Sequence, residues 1–326
     1  MARGEFDTIA ALYVPLTRGD PAALGLRDDA ARLRLSSRDE LVVTTDALVA
    51  GVHFLDRDPP ADIARKALRT NLSDVAAKGA RPIGYFLSVA RPRSWTDARM
   101  DAFARGLAAD GKEFGVPLLG GDSTGTPGPL TLSITALGKV RRGGMLLRAG
   151  ARPGDDVWVS GSIGDGAIGL LVARRELPHL AGKHRRMLLA RYRVPQPRLA
   201  LGRALVGVAS ACMDVSDGLV ADLGHICSAS KAGATIELDA VPFSQAATAA
   251  ISARPALRKL AISGGDDYEL LFTAAPAARA KVLKAARAGG VPVARIGHIH
   301  AGAPIVLVED RQGGILRMAR TGFTHY

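Results

Sequence analysis

The chain has 326 residues, is 48% hydrophobic and 23% charged, and carries a formal net charge of +12 with a sequence pI of about 10.2. That length favours two domains, and the composition supplies enough apolar material for sizeable cores at a charge content normal for a soluble protein. No stretch approaches the roughly 18 uninterrupted apolar residues of a membrane span; Met1–Asp7 lacks the plan of a signal peptide; Cys212 and Cys227 fit no zinc spacing or disulfide framework, so a cytoplasmic protein with reduced thiols and no membrane partner is expected.

In chain order, Arg32–Leu35 and Leu41–Thr45 read as two strands around the polar turn Ser36–Glu40. Pro60–Gly79 has helical periodicity, with Ile63, Ala67, Leu68, Leu72, Val75 and Ala76 on one face and Gly79 suited to its end. Ile83–Val89 reads as a strand, and Ser94-Trp95-Thr96-Asp97 has capping-box form ahead of a helix running to about Phe114. Val116–Leu119 and Leu130–Val140 are further strands. Arg141–Asp156, rich in Gly, Arg and Pro, is the expected domain boundary. In the second half, Val157–Ser160, Ala211–Val215, Thr235–Leu238, Tyr268–Thr273 and Ile305–Val308 read as strands, and Gly166–Arg175, Leu199–Val208, Ser216–Ser230 and Ala277–Ala288 as helices.

The basic charge raises the question of nucleic acid. The cations are mostly arginines spread along helices, as in Arg174-Arg175 and Arg185-Arg186, and aromatic residues are only 5% of the chain, poor material for base stacking. No nucleic-acid partner is expected.

The carboxylates are more informative. Asp28-Asp29, Asp46, Asp74, Asp122, Asp214, Asp217 and Asp266-Asp267 each end or closely follow an apolar run, or sit in a Gly-rich turn. Acids at strand ends point into clefts, where ligands of α/β folds bind. Their mutual repulsion calls for cations, and all-oxygen ligands favour Mg²⁺ or Mn²⁺. Taken singly the signals are moderate. Thr44-Thr45-Asp46 offers two hydroxyls and a carboxylate, yet reads equally as a turn. Asn71 and Asp74 share a helix face, as solvated pairs also do. At Gly120-Gly121-Asp122 the glycines allow close approach to a phosphate. His53 reads equally as a structural histidine or a substrate contact, and Arg148 as a phosphate clamp or a solvated arginine. Ser160–Gly169 is a weak candidate phosphate cradle. There is no Walker A string and no protein-kinase string, so nucleotide chemistry here leans on metals.

Together these strings resemble the thiamine-monophosphate kinase family, within the ATP-binding superfamily of aminoimidazole ribonucleotide synthetase. The resemblance runs through Arg27–Ala31, Thr44–Phe54 (TTDALVAGVHF), Asn71–Ala80, Gly120–Asp122, Arg148–Asp155, Asp214–Leu219 (DVSDGL) and Ser263–Leu270 (SGGDDYEL). It implies that Asp29, Thr44, Thr45, Asp46, Asp74, Asp122, Asp214 and Asp217 bind Mg²⁺, and that Gly121, Asp122, Arg148 and Ser216 contact ATP. It further implies that His53, Asp266 and Phe323 contact thiamine monophosphate. Arg27 stands where a glycine commonly precedes the Asp pair, Asp266 where a glutamate often occurs, and Phe323 where a tyrosine or tryptophan is usual. The implied fold is α/β (α+β) with two mixed-sheet domains: residues 1–148 for ATP, Mg²⁺ and dimerisation, and 149–326 completing the substrate site. The N-terminal sheets would pair into a barrel in a homodimer. The implied reaction is direct in-line phosphoryl transfer from ATP to thiamine monophosphate, the last step of thiamine diphosphate formation. It is Mg²⁺-dependent and needs no general base.

Overall fold

The computed structural model describes residues 4–28, 30–316 and 321–322, so the expected site residues Asp29 and Phe323 lie outside the described residues. The chain divides into two compact units, residues 1–75 with 80–143 and residues 76–79 with 144–326.

After a single turn α1 (Glu5–Thr8), the first unit contains β1 (Asp39–Val49), α2 (Pro60–Ala77), β2 (Arg81–Pro92), α3 (Asp97–Phe114), β3 (Leu118–Thr126) and β4 (Thr131–Arg141). The strands form one sheet in the order β1-β4-β2-β3, antiparallel except for the parallel pair β2/β3. Strand alternation sends Val42, Leu48, Leu87, Val89, Leu132 and Ile134 into the core. Helix α2 supplies its counterpart, Ile63, Ala67, Leu68, Leu72 and Val75, all buried at the helical spacing read from the sequence. Thr96, rather than Ser94, caps α3 by accepting from Arg99 N, and Gly115 ends it in the left-handed region. Arg69 on α2 and Asp110 on α3 are both fully buried and joined by a bidentate ion pair, with Glu113 on the second guanidinium nitrogen at 2.7 Å. The other face of the sheet is only partly covered, by Ala22, Ala23, Leu26 and Ala31 against Leu119, Leu137, Ile83 and Phe86. On that face Leu41 and Val43 remain 43% and 55% exposed.

The strand expected over Arg32–Leu35 does not form; residues 31–36 have no regular structure. Both its apolar residues, Leu33 and Leu35, are exposed, so no core face holds the segment extended against β1.

The second unit is built on a six-stranded mixed sheet of order β10-β7-β9-β5-β8-β6. Its strands are β5 (Asp156–Ser160), β6 (Ala211–Asp214), β7 (Gly233–Glu237), β8 (Leu270–Ala274), β9 (Val293–His300) and β10 (Val306–Glu309). Its helices are α4 (Asp165–Ala173), α5 (Gly182–Arg193), α6 (Leu199–Leu205), α7 (Leu219–Ser230), α8 (Gln245–Ala253), α9 (Leu257–Ser263) and α10 (Arg279–Gly289). Leu219, Leu223, Ile226 and Cys227 of α7 pack on Val157, Val159, Met213 and Leu271 of the sheet. A second cluster joins Ile168, Val172, Leu188, Ala247, Ala250 and Leu257 among α4, α5, α8 and α9. Within this unit the sequence spacing predicts no element at α5, α8, α9 or β9, and Ser216–Gly218 is loop rather than helix.

Candidate functional site

In the first unit, β1 carries Thr44 and Asp46 on its core-facing side, where burial gives way to half-exposure. Helix α2 runs back along β1 and brings Asp74 to Thr44, whose Oγ1 donates to Asp74 Oδ2 at 2.6 Å. Burial, and then the nearby charge of Asp74, push the Asp46 carboxyl up to about 6 from its ordinary 3.8. Two carboxylates and a hydroxyl in a half-buried place form an all-oxygen donor set, and this chemistry fits a hard divalent ion. Thr45 lies on the exposed side of β1 and bonds Thr135 Oγ1 at 3.1 Å, so the structure does not bring it into the Asp46–Asp74 pair. His53 follows the strand. Its Nδ1 accepts from Val49 N at 2.9 Å, which leaves the ring proton on Nε2 when the imidazole is neutral.

Gly121 and Asp122 lie on the sheet edge strand β3. A Cβ on Gly121 would come within 1.8 Å of Leu87 O, so only glycine allows this approach. Register places Asp46, Ile134, Leu87 and Gly121 in one row across the sheet, and Ala47, Ser133, Ser88 and Asp122 in the next. Asp122 is exposed, and its Oδ1 accepts from Ser123 N at 2.8 Å. The sheet therefore separates Asp122 from the Asp46–Asp74 pair, although all three belong to one unit.

In the second unit, two loops that are distant in sequence interlock. Val215 N bonds Glu269 O, Tyr268 N bonds Val215 O, and Asp266 N bonds Ser216 O, at 2.8–2.9 Å. A Cβ on Gly265 would lie 2.1 Å from Ser216 O, and one on Gly218 would lie 2.7 Å from Ser263 O. Asp214 ends β6 at 4% exposure, while Ser216, Asp217 and Asp266 are half-buried. Asp266 takes a positive φ of 73° and accepts from Tyr268 Oη at 3.2 Å. Leu147 O accepts from Cys212 N, which runs the exposed Arg148 alongside β6.

Two further buried aspartates hold main-chain amides: Asp222, which the sequence does not single out, and Asp267, which it offers only as half of the Asp266-Asp267 pair. Asp222, fully buried in the first turn of α7, accepts through Oδ2 from the amides of Ser216, Asp217 and Gly218 at 3.0–3.1 Å. Its Oδ1 is buried with no partner among the described residues, and burial followed by the charge of Asp217 pushes its carboxyl up to about 7. Donor atoms of Asp217, Asp222 and His225 all lie within 4.8 Å of one another. Asp267 accepts from Gly164 N at 2.7 Å and Gly166 N at 2.9 Å. The amides of the Gly-rich Ser160–Gly169 turn are thus taken by the chain's own carboxylate, against the phosphate-cradle reading of that turn. Burial raises the Asp267 carboxyl well above the usual range. Asp222 follows the DVSDGL string by three places, and the signal that could have found it is an acid inside an otherwise apolar helix start.

The N-terminal domain of the AIR synthase related protein family matches residues 27–140, and its C-terminal domain residues 152–309. A curated relative from Caulobacter vibrioides, named thiamine-monophosphate kinase, is 48% identical over 324 residues, spanning 98% of this chain and 90% of the relative. The crystal structure of thiamine-monophosphate kinase from Stenotrophomonas maltophilia K279a superposes with a TM-score of 0.84 at 40% identity, covering 94% of this chain and 97% of that one. A further structure, described as AaThiL complexed with AMPPCP and TMP, superposes with a TM-score of 0.79 at 27% identity, covering 99% and 97%.

Proposed function

This chain belongs to the thiamine-monophosphate kinase family, and from that premise we propose that it transfers the γ-phosphoryl group of ATP to thiamine monophosphate, giving ADP and thiamine diphosphate. The end-to-end identity of 48% to a relative of that name carries the assignment. The AMPPCP and TMP held by a structural neighbour support the two substrates.

The nucleophile explains the absence of a general base from the chemistry. A phosphate monoester has a second pKa of about 6 and is largely dianionic at neutral pH, so nothing need remove a proton from it. The barrier is repulsion between two anions brought into line. Bound Mg²⁺ supplies charge neutralisation of the transferring group. Asp46, Asp74 and Thr44 are the residues that would hold it in the first unit, and Asp29 is assigned to the same role; Thr45 and Asp122, on the opposite face of the sheet, would serve an ion apart from that pair, and Asp214 and Asp217 one in the second unit. Gly121, Asp122, Arg148 and Ser216 are assigned to ATP. His53, with its proton on Nε2, presents a donor to the substrate phosphate, and Asp266 and Phe323 suit the cationic thiazolium ring.

On this reading residues 1–148 form the ATP, Mg²⁺ and dimerisation domain and residues 149–326 complete the substrate site, in a cytoplasmic homodimer. The exposed apolar row at Leu41 and Val43 supports a partner subunit on the first sheet. Among the described residues no helix is long and apolar enough to cross a membrane. An ADP-release assay with ATP, Mg²⁺ and a small acceptor panel tests the function. Thiamine monophosphate should be phosphorylated and free thiamine should be a poor acceptor; no thiamine diphosphate, or equal use of thiamine, sinks the reading.

A further inference from the structure

We propose that Asp222 is a positioning residue: its buried carboxylate fastens three successive amides of the Ser216–Gly218 loop, aims the Ser216 hydroxyl and the Asp217 carboxylate outward, and holds a negative charge beside Asp217. This rests on the proposed function only in giving Ser216 to ATP and Asp217 to a cation.

A helix N-cap side chain ordinarily satisfies one orphan amide. Here a single oxygen of Asp222 takes three, from Ser216, Asp217 and Gly218. The loop is therefore wrapped around that oxygen with its amides turned inward. Its opposite side is fixed by main-chain contacts with Gly265 and Asp266. What the loop has left to present is the two half-buried side chains of Ser216 and Asp217.

Geometry alone does not require a charge at 222. An asparagine would accept the same three amides without bringing a second carboxylate to Asp217, and burying an ionised group beside a like charge is unfavourable unless a cation compensates it. Asp222 Oδ1 is buried without a partner among the described residues, and its donor set extends to Asp217 and His225 within 4.8 Å. The charge is thus placed where it strengthens cation binding at Asp217, as carboxylates behind metal ligands do.

Asp222→Asn and Asp222→Ala separate the two roles. The asparagine variant keeps the amide acceptor and loses the charge. It should melt at or above the parent temperature in EDTA at pH 8, bind Mn²⁺ about tenfold more weakly as read by the EPR signal of the free ion, and need about tenfold more Mg²⁺ for half-maximal velocity, with kcat within about threefold of the parent. The alanine variant also loses the anchor, so its kcat should fall at least about tenfold below that of the asparagine variant. Parental Mn²⁺ affinity in Asp222→Asn, or no Mn²⁺ binding by the parent, overturns the assignment, as does a kcat for Asp222→Ala equal to that of Asp222→Asn. Should Asp222→Ala fail to fold, the Mn²⁺ comparison in Asp222→Asn decides alone. That comparison needs no turnover, so a parent that makes no thiamine diphosphate defeats the functional reading while the role of Asp222 is still decided.

Discussion

Thr44 Oγ1 and Asp74 Oδ2 stand 2.6 Å apart, a side-chain bond between β1 and α2 across 30 residues of sequence. It fixes a place in the first unit where a strand hydroxyl and a helix carboxylate meet beside Asp46, whose carboxyl is raised by burial and by Asp74.

Asp74→Asn should therefore have two opposite effects. Turnover should drop at least about a hundredfold, the scale of losing transition-state charge stabilisation. Metal-free stability at pH 8 should rise, because Asp46 loses its like-charged neighbour. Asp46→Asn and Asp122→Asn should lose turnover on the same scale, whereas only Asp46→Asn should share the gain in stability, since the register keeps Asp122 in a different row. Steady-state kinetics and calorimetry check both halves; near-parental activity in any two of the three variants removes the cation assignment.

Stability of the metal-free protein should fall as pH rises from about 4 to about 7. The folded-state values of Asp46, about 6, and Asp222, about 7, lie above the ordinary 3.8. In that window the folded chain binds more protons than the unfolded one, and ionisation favours unfolding. Adding Mg²⁺ should raise Tm more at pH 8 than at pH 5. Calorimetry in EDTA and in Mg²⁺ at the two pH values decides the point, and a metal-free Tm that rises over this range would contradict it.

Thr321 and Gly322 dock on the second-unit loop. Thr321 O accepts from Ala221 N at 3.0 Å, and a Cβ on Gly322 would lie 2.4 Å from Ala221 Cβ and 3.1 Å from Asp217 O. Gly322→Val should lift the segment and raise KM for thiamine monophosphate while leaving KM for ATP nearly unchanged. Phe323→Ala should do the same by about tenfold, the scale of one lost aromatic contact with a cation. Tyr326→Ala is the control; a selective defect there instead would move the aromatic role to Tyr326.

Val43 projects 55% exposed from an edge strand of the first sheet. Val43→Asp should convert a dimer to monomers without unfolding the chain, read by sedimentation and circular dichroism. A parent that sediments as a monomer, or a variant that remains dimeric, removes this face as the interface.

The two mixed-sheet units and most of their elements were legible in the sequence. Acids beside apolar runs announce themselves because charge and apolar runs seldom adjoin without cause; Asp214 ends β6 and Asp74 lies on α2 as read, whereas Asp46 and Asp122 lie inside β1 and β3 rather than at strand ends, because both strands run on past the apolar stretches that marked them. Helix α5 (GKHRRMLLARYR) was hidden by its dense cations, and β9 by Arg295, Gly297 and His298 within an apolar alternation. Arg32–Leu35 alternates like a strand but joins no ladder among the described residues, and its apolar residues Leu33 and Leu35 are exposed. The residue Asp222 and the role of Asp267 are not legible for a different reason: their task is to hold amides, and amides leave no trace in the side-chain sequence. The row change between Asp46 and Asp122 likewise depends on strand register, which pairing alone decides.

The interlock of residues 215–218 with 264–268 is made almost wholly of main-chain bonds and glycine contacts. Such a lock is indifferent to what the intervening side chains are. Ser216 and Asp217 can be exchanged without loosening the frame that carries them, whereas Asp266, at a left-handed φ of 73°, admits few residues besides Gly and Asn; the scaffold and the chemistry at 216 and 217 are free to diverge at separate rates. A new acceptor specificity can then arise by replacing one or two side chains at constant backbone, whereas changes at Gly218 or Gly265 are barred to any lineage that keeps the fold.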